Sequence, residues 1–458
     1  MRVDTVIVNG KLVTSQEVLD DVVVEISGEK IAYVGHRSQA FEAKKTIDAR
    51  GKYILPGIID PHVHYHIKLG EARPWESELI TETKAAAAGG ITTSFEFIIE
   101  QGSVADLLPS LAESTSRCAT IDMGFHAVCM TEKHLEELPR CRKAGIKGFK
   151  FFMAYKGNEL ESFGISGIDV PYVYRGMEII KDLGGVAQVH AENYDLLKLY
   201  GPRYANQNSF HAFNLSRPPI CTEVDAFIAC RIAEKTGCPL YIVHLGAGNV
   251  IDIAERFRAR KTEIYLETCP RYLLIDEVGT GLKRPVLALT TPGYYPRQDL
   301  DRMWEALGAG KVDSIGTDSG TFTLKDKMSA KDVWTMPIGW QEMPTSLPTM
   351  LSEGVNKKRI TLPQLVATMS YNPARIFGIY PQKGNIAPGA DADIVLVDLN
   401  MKRKVKAELF PSSCDFTPYE DWELQGWPVL TMVRGKVVME SGKVAEASGW
   451  GRPVNLKV

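Results

Sequence analysis

The stretch Asp60-Pro61-His62-Val63-His64-Tyr65-His66 places three histidines at alternate positions, directly after the apolar run Tyr53-Ile54-Leu55-Pro56-Gly57-Ile58-Ile59. In an extended strand every second side chain shares a face, so His62 and His64 point the same way. Two imidazoles at that spacing can grip one metal ion, and a polar strand end turned to water would show the same spacing. Further along, other apolar runs end in residues of related chemistry. Lys150 closes "GIKGFK", His190 closes "GVAQVH" and His244 closes "PLYIVH"; Glu267 ends "TEIYLE" and Asp318 ends "VDSIGTD". Any one of them has a plain structural reading as a hydrogen-bonded strand end. Their recurrence argues for one shared metal-type site, provided that the strands meet at one rim. Lys150 is the odd member, because an ammonium has no lone pair to give a cation. It is either a salt-bridged rim lysine or a lysine carboxylated by CO2, which becomes an anionic, two-oxygen ligand.

The elements that must position these residues alternate between strand and helix. Eight candidate strands run in order: "GIID", "GITTSFEFI", "IDMGFHAVC", "GIKGFKFFMA", "GVAQVHA", "PLYIVHL", "TEIYLETC" and "VDSIGTD". Helical stretches such as "ITETKAAAAGG", "VYRGMEIIKDLGG" and "EVDAFIACRIAEKTG" separate many of them. Eight βα units over roughly 250 residues or more predict an α/β fold, a (β/α)8 TIM barrel, whose active sites form at the C-terminal rim from several strands. A doubly wound open sheet is the second choice, but no Gly-x-Gly-x-x-Gly turn follows the first strand. Both chain ends read as short strands separated by turn residues, in "DTVIVNGKLV" and "DVVVEISGEKIAYVG" at one end and "ADIVLVDLN" and "VLTMVRGKVVMESGKV" at the other. The simplest arrangement joins them into a small β-sandwich, with residues 1–54 and 385–458 flanking a barrel over 55–384.

Composition narrows the function classes. Of 458 residues, 45% are hydrophobic and 24% charged, with a formal net charge of −3 and no basic stripe, which argues against nucleic acid as a partner. The apolar runs are short and interrupted, so no membrane span is expected, and the first residues lack the unbroken apolar core of a signal peptide. A cytoplasmic location follows as the expectation. The eight cysteines form no Cys-x-x-Cys pair, and Cys269, in "ETCPRY" near the suspected site, reads as a small buried thiol.

Taken together, "DPHVHYH", "GFKFFMAYKG", "VHAENYDLL", "YIVHLGAG", "ETCPRYLL", "GTDSGTF" and "SYNPARIFGIYPQKGNIAPGADADIVLVDL" resemble the hydantoinase and dihydropyrimidinase branch of the metal-dependent cyclic amidohydrolases. The likeness runs in order over nearly the whole chain. It implies a metal-dependent (β/α)8 barrel with a β-sandwich built from both ends. It also implies two divalent ions, zinc being the first choice for imidazole and carboxylate ligands, with manganese or cobalt able to substitute. On the resemblance, His62, His64, Lys150 and Asp318 would hold one ion, and Lys150 (as carboxylysine), His190 and His244 the other. Tyr155 falls where the family places a tyrosine that supports the developing oxyanion, and Asp318 would carry the proton. The substrate would be a small cyclic amide or imide of the hydantoin or dihydropyrimidine type, opened to an N-carbamoyl acid. The family forms dimers and tetramers, so a homo-oligomer is expected.

Some positions depart from the family. Typical hydantoinases carry Asp where His66 stands, and dihydroorotases an Arg. Hydantoinases usually have His where this chain has Ser319. The ring-contacting Ser-Pro-Pro looks replaced by Thr291-Pro292-Gly293, and its Asn by Ile338, so Thr291 and Ile338 become the candidate substrate contacts. Family contacts there run largely through backbone groups and can survive the changes. The loops at 67–79 and 158–174 would border the mouth, where Trp75, Phe163, Tyr172 and Tyr174 either line a pocket or simply pack the loops. Two other enzyme readings, an allantoinase and a cyclic imidase, share the same machinery. A non-catalytic scaffold of the same fold would have lost its ligands, whereas all six ligand positions are filled here.

Overall fold

The computed structural model describes residues 3–36, 42–65, 75–154 and 167–456. Parallel strands build the centre. They run at Ile58–His64, Ile91–Ile98, Asp122–Val128, Gly148–Phe152, Val186–His190, Leu240–Ile242 and Ile264–Thr268, each hydrogen-bonded to the next. The eighth is split into Ser314–Ile315, which pairs with the seventh, and Ser319–Gly320, which pairs with the first at Val63 and His64. That last pairing closes the sheet on itself, so the open-sheet alternative fails and the barrel stands.

The strands read as near-continuous apolar runs because both their faces are buried, one in the barrel interior and one under helices. Ile91–Ile98 and Asp122–Val128 are buried at every position. The helices over Trp75–Ala88, Val170–Asp182 and Pro219–Thr236 occupy the stretches whose sequence reads as helical. Their starts and stops follow local chemistry. The Asp169 side chain accepts from the Tyr172 amide at one start, and Gly237 takes the left-handed conformation that ends another.

Both chain ends contribute to one second sheet. Its hydrogen-bonded path runs from Lys443–Val444 through Lys436–Glu440, Glu423–Val433 and Ile394–Lys404 to Tyr53–Pro56, Val3–Val13, Val18–Ser27 and Lys30–His36. Ala43–Asp48 pairs with Val3–Val13 off that path. Ile7, Val24, Ile26 and Ile54 from the first end share a core with Ile394, Leu396, Leu430 and Met432 from the other. The second domain expected from the two ends is therefore present. No helix of the described residues is long and apolar enough to cross a membrane.

A buried ionic cluster joins the two units beneath the barrel. The Lys383 ammonium lies 2.7 Å from Asp122 Oδ2, 3.1 Å from Asp391 Oδ2 and 2.5 Å from Asp393 Oδ2, and Arg434 donates to Asp122. Asp122 belongs to a barrel strand, whereas Asp391, Asp393 and Arg434 belong to the chain-end segments. These three carboxylates could by spacing hold a metal, but Lys383 already supplies the positive charge among them.

Candidate active site

His62 and His64 lie at the end of the first barrel strand, both buried. Their Nε2 atoms are 3.2 Å apart, and each lies 3.3 Å from Asp318 Oδ1. Donors that each sit about 2.0–2.1 Å from one tetrahedral ion are roughly 3.3 Å from one another. The triad therefore fits a single small divalent cation, by spacing as well as by donor type. His62 and His64 do share a face, as the strand period requires.

Asp318 reaches this position through the break in the eighth strand. Its backbone is left-handed, with φ 47°, and its amide donates to His62 O at 2.8 Å. Asp60 braces the break: its carboxylate accepts from the Thr317 amide (3.0 Å), the Thr317 hydroxyl (2.6 Å) and the His62 amide (3.2 Å). At Gly316 a Cβ would stand 2.8 Å from the Glu267 carboxyl carbon and 2.9 Å from His62 Cβ, so only glycine lets these two side chains approach.

Lys150 sits on the fourth strand with its side chain fully buried. Among the described residues its Nζ has no hydrogen-bond partner, and it lies 4.7 Å from the Phe97 ring centre and 5.0 Å from that of Phe152. The salt-bridged alternative is thus overturned. Burial pushes the Lys150 amine down to about 8 against the pull of Asp318 and Glu267. An amine so lowered holds a much larger neutral fraction near neutral pH than an ordinary lysine, and the neutral form is the one that adds CO2.

His190 and His244, at the ends of the fifth and sixth strands, pack at 4.6 Å between ring centres, and His244 lies 5.4 Å from His62. His190 Nε2 is 3.2 Å from Glu192 Oε2, which also accepts from Arg217 at 2.9 Å. Among the described residues, His244 Nδ1 and His64 Nδ1 are buried without hydrogen-bond partners. Burial, then neighbouring positive charge, holds His62 and His244 well below the usual imidazole value. His190 is lowered by burial and by Lys150 despite the opposing pull of Glu192. These rings are kept neutral, the form that ligates a metal. The structure therefore brings His62, His64, Lys150, His190, His244 and Asp318 to one rim. Orphaned buried nitrogens and neutral imidazoles are what a cation site requires.

Of the substrate candidates, Thr291 is buried with its hydroxyl unpartnered among the described residues, and Ile338 is half-buried against a neighbouring apolar cluster. The Gly339 amide donates to Leu289 O at 2.9 Å, so the two segments that carry them are tied together. Ser319 ties the eighth strand to the same region, accepting from the amides of Glu342 (2.9 Å) and Met343 (3.1 Å). Tyr155, His66 and Phe163 lie outside the described residues. Tyr172 donates to Thr131 O at 2.7 Å and meets Phe151 edge-on, and Trp75 and Tyr174 are partly buried against the main core. Cys269 is buried and unpaired, as are the other seven cysteines.

Two supporting roles were not legible in the sequence. Glu267, recognisable only as a rim carboxylate, accepts from His62 Nδ1 at 2.7 Å, from the His244 amide at 2.8 Å and from Tyr241 Oη at 2.8 Å. Asp60, adjacent to the histidines, carried a signal in its position alone.

The chain matches the amidohydrolase family over residues 53–438. It is 31% identical to a D-hydantoinase of Geobacillus stearothermophilus, covering 97% of this chain and 95% of that protein. It is 30% identical to an L-hydantoinase of Paenarthrobacter aurescens, covering 99% and 98%. Among solved structures, dihydropyrimidinase from Brevibacillus agri NCHU1002 superposes with a TM-score of 0.90 at 30% identity, covering 99% of this chain and 98% of that one. The L-hydantoinase from Arthrobacter aurescens gives 0.91 at 30% identity, covering 99% and 100%. With a family match across most of its length and relatives of this similarity end to end, the chain belongs to the amidohydrolase family.

Proposed function

We propose that this protein hydrolyses the ring C–N bond of a cyclic amide or imide of hydantoin or dihydropyrimidine type, giving an N-carbamoyl acid. One observation carries the reading: a fully buried lysine amine without a hydrogen-bond partner among the described residues, at a rim shared by four histidines and Asp318. A scaffold has no use for that arrangement. His62, His64, Asp318 and carboxylated Lys150 would hold one divalent ion, and Lys150, His190 and His244 a second. Zinc suits these donors best, with manganese or cobalt as substitutes. When bound, the ions supply Lewis acidity that lowers the pKa of a water and polarises the scissile carbonyl.

The chain's own groups do the rest. The water oxygen adds to the ring carbonyl carbon, and the Asp318 carboxylate takes the proton released. As the C–N bond breaks, Asp318 returns that proton to the leaving ring nitrogen, so charge and atoms balance. Tyr155 donates to the tetrahedral oxyanion. Thr291 and Ile338 contact the ring, chiefly through their backbone groups. Glu267 holds His62 in one tautomer with Nε2 facing His64 and Asp318.

The enzyme is proposed to work in the cytoplasm as a homo-oligomer, a tetramer or a dimer. Eight buried, unpaired thiols suit a reducing compartment. The test is elemental analysis of purified protein, coupled to ring-opening rates on hydantoin, dihydrouracil, allantoin and a cyclic imide. About two divalent ions per chain and turnover of at least one ring support the reading. Metal-free protein that is fully active would end it.

A further inference from the structure

We propose that Arg271 is a positioning residue for ring opening: its guanidinium fixes the Asp318 turn against the two loops that carry Thr291 and Ile338. The inference rests on the role given above to Asp318. Arg271 follows the seventh barrel strand, in the short helix Pro270–Leu274, and its side chain is fully buried.

Its donors reach three separate segments. Nε donates to Glu342 Oε2 at 2.8 Å, four residues beyond Ile338. Nη1 donates to Thr290 Oγ1 at 3.1 Å, one residue before Thr291. Nη2 donates to the carbonyls of Thr317 and, at 3.3 Å, Asp318. The guanidinium also stacks near the Trp340 ring, 4.9 Å from its centre. Its counter-ion is Glu342, whose other oxygen accepts from Tyr419 Oη at 2.6 Å. The Asp318 carboxylate stays 4.0 Å from Nη1 and faces His62 and His64 instead.

This division of labour separates holding from reacting. The two carbonyls that Arg271 captures flank the left-handed Asp318, a conformation that costs a non-glycine residue free energy unless its surroundings over-determine it. A rigid planar fork can span four acceptors on three segments, which a lysine cannot. The same strand end thus serves both halves of the site, with Glu267 orienting His62 and Arg271 orienting Asp318.

The test uses full-length R271M and R271K beside the parent and D318N. Four readouts are taken: kcat and KM on the ring the parent opens fastest, metal content, metal retention against a chelator, and thermal melting. For R271M, kcat should fall about a hundredfold, the scale of a 1 Å misplacement of a reacting group, with KM changing far less. It should surrender metal to the chelator faster, and R271K should recover part of both losses. R271M that is folded, metal-loaded and within twofold of the parent in kcat overturns the proposal. If R271M does not fold, R271K decides: parent-like kcat and metal retention overturn it. An active D318N overturns the assignment of Asp318 alone, and the chelator readout, which needs no turnover, still judges Arg271.

Discussion

His62 Nδ1 lies 2.7 Å from Glu267 Oε1, and both side chains are fully buried. This contact leaves Nε2 as the free face of His62, the face that meets His64 and Asp318. Glu267 also accepts from the His244 amide, so it braces residues assigned to both ions. Partners of this kind commonly set metal affinity by about 10–100-fold. E267Q should therefore lower affinity by that order while leaving the six ligands in place. Competition against a graded series of chelators measures it, and unchanged affinity would remove Glu267 from the site.

Lys150 gives the second prediction. K150A should lose the anionic ligand common to both ions, dropping metal content below two per chain and activity to near background. Short carboxylic acids in the buffer should restore part of the rate, since they replace the missing oxygens. K150R should stay inactive, because a guanidinium remains protonated and forms no carbamate. A mass increase of one CO2 on Lys150 in native, metal-loaded parent, lost on metal removal, is the direct readout. Active parent carrying an unmodified amine would contradict the role.

The barrel was legible because its strands are two-sided and buried, so each reads as an apolar run that stops at a polar rim residue. The alternation of His62 and His64 follows from the strand period alone. The break within the eighth strand was not legible, since it depends on Asp60 reaching across from the first strand to Thr317. Arg271 and Glu342 stand 71 residues apart, and nothing local in "ETCPRYLL" or "GWQEMP" announces that they pair. Periodicity reports which face is buried, but it does not report which buried charges find each other.

The Lys383 cluster yields a stability prediction. Burial alone would lower the Lys383 amine, but the carboxylates of Asp122, Asp393 and Asp391 raise it above the ordinary lysine value. A lysine raised on folding contributes stability that is fully present below its unfolded pKa and lost as pH rises through the folded one. Asp391 shows the reciprocal effect: burial would raise it, yet the Lys383 charge and hydrogen bonds hold it below the usual carboxylate range. Its contribution is present above the unfolded carboxylate value and lost in acid. K383M leaves three buried carboxylates with too little positive charge and should cost about 3–5 kcal/mol at neutral pH. The loss should shrink below about pH 4, where carboxylates protonate. Urea unfolding at about pH 3 and at pH 7 measures both values, and a pH-independent loss would show that Lys383 acts by packing alone.

Asp318 tests the chemistry itself. Its carboxylate meets both His62 and His64 at 3.3 Å, yet it is also 13% exposed, so one residue can face the ligand cluster and the substrate side together. D318N keeps an oxygen donor of the same shape but removes the ability to carry a proton. Metal content should therefore survive at least in part, because His62, His64 and Lys150 remain. Turnover should fall by about 10²–10⁴-fold, the range that general acid–base catalysis contributes. The loss should appear in kcat, since the proton transfers occur after the ring is bound, and KM should move little. D318A separates the two duties of the residue: it should lose metal as well as turnover. If D318N turns over its best ring at a rate near the parent's, the proton passes through another group, and Asp318 is left as a ligand only.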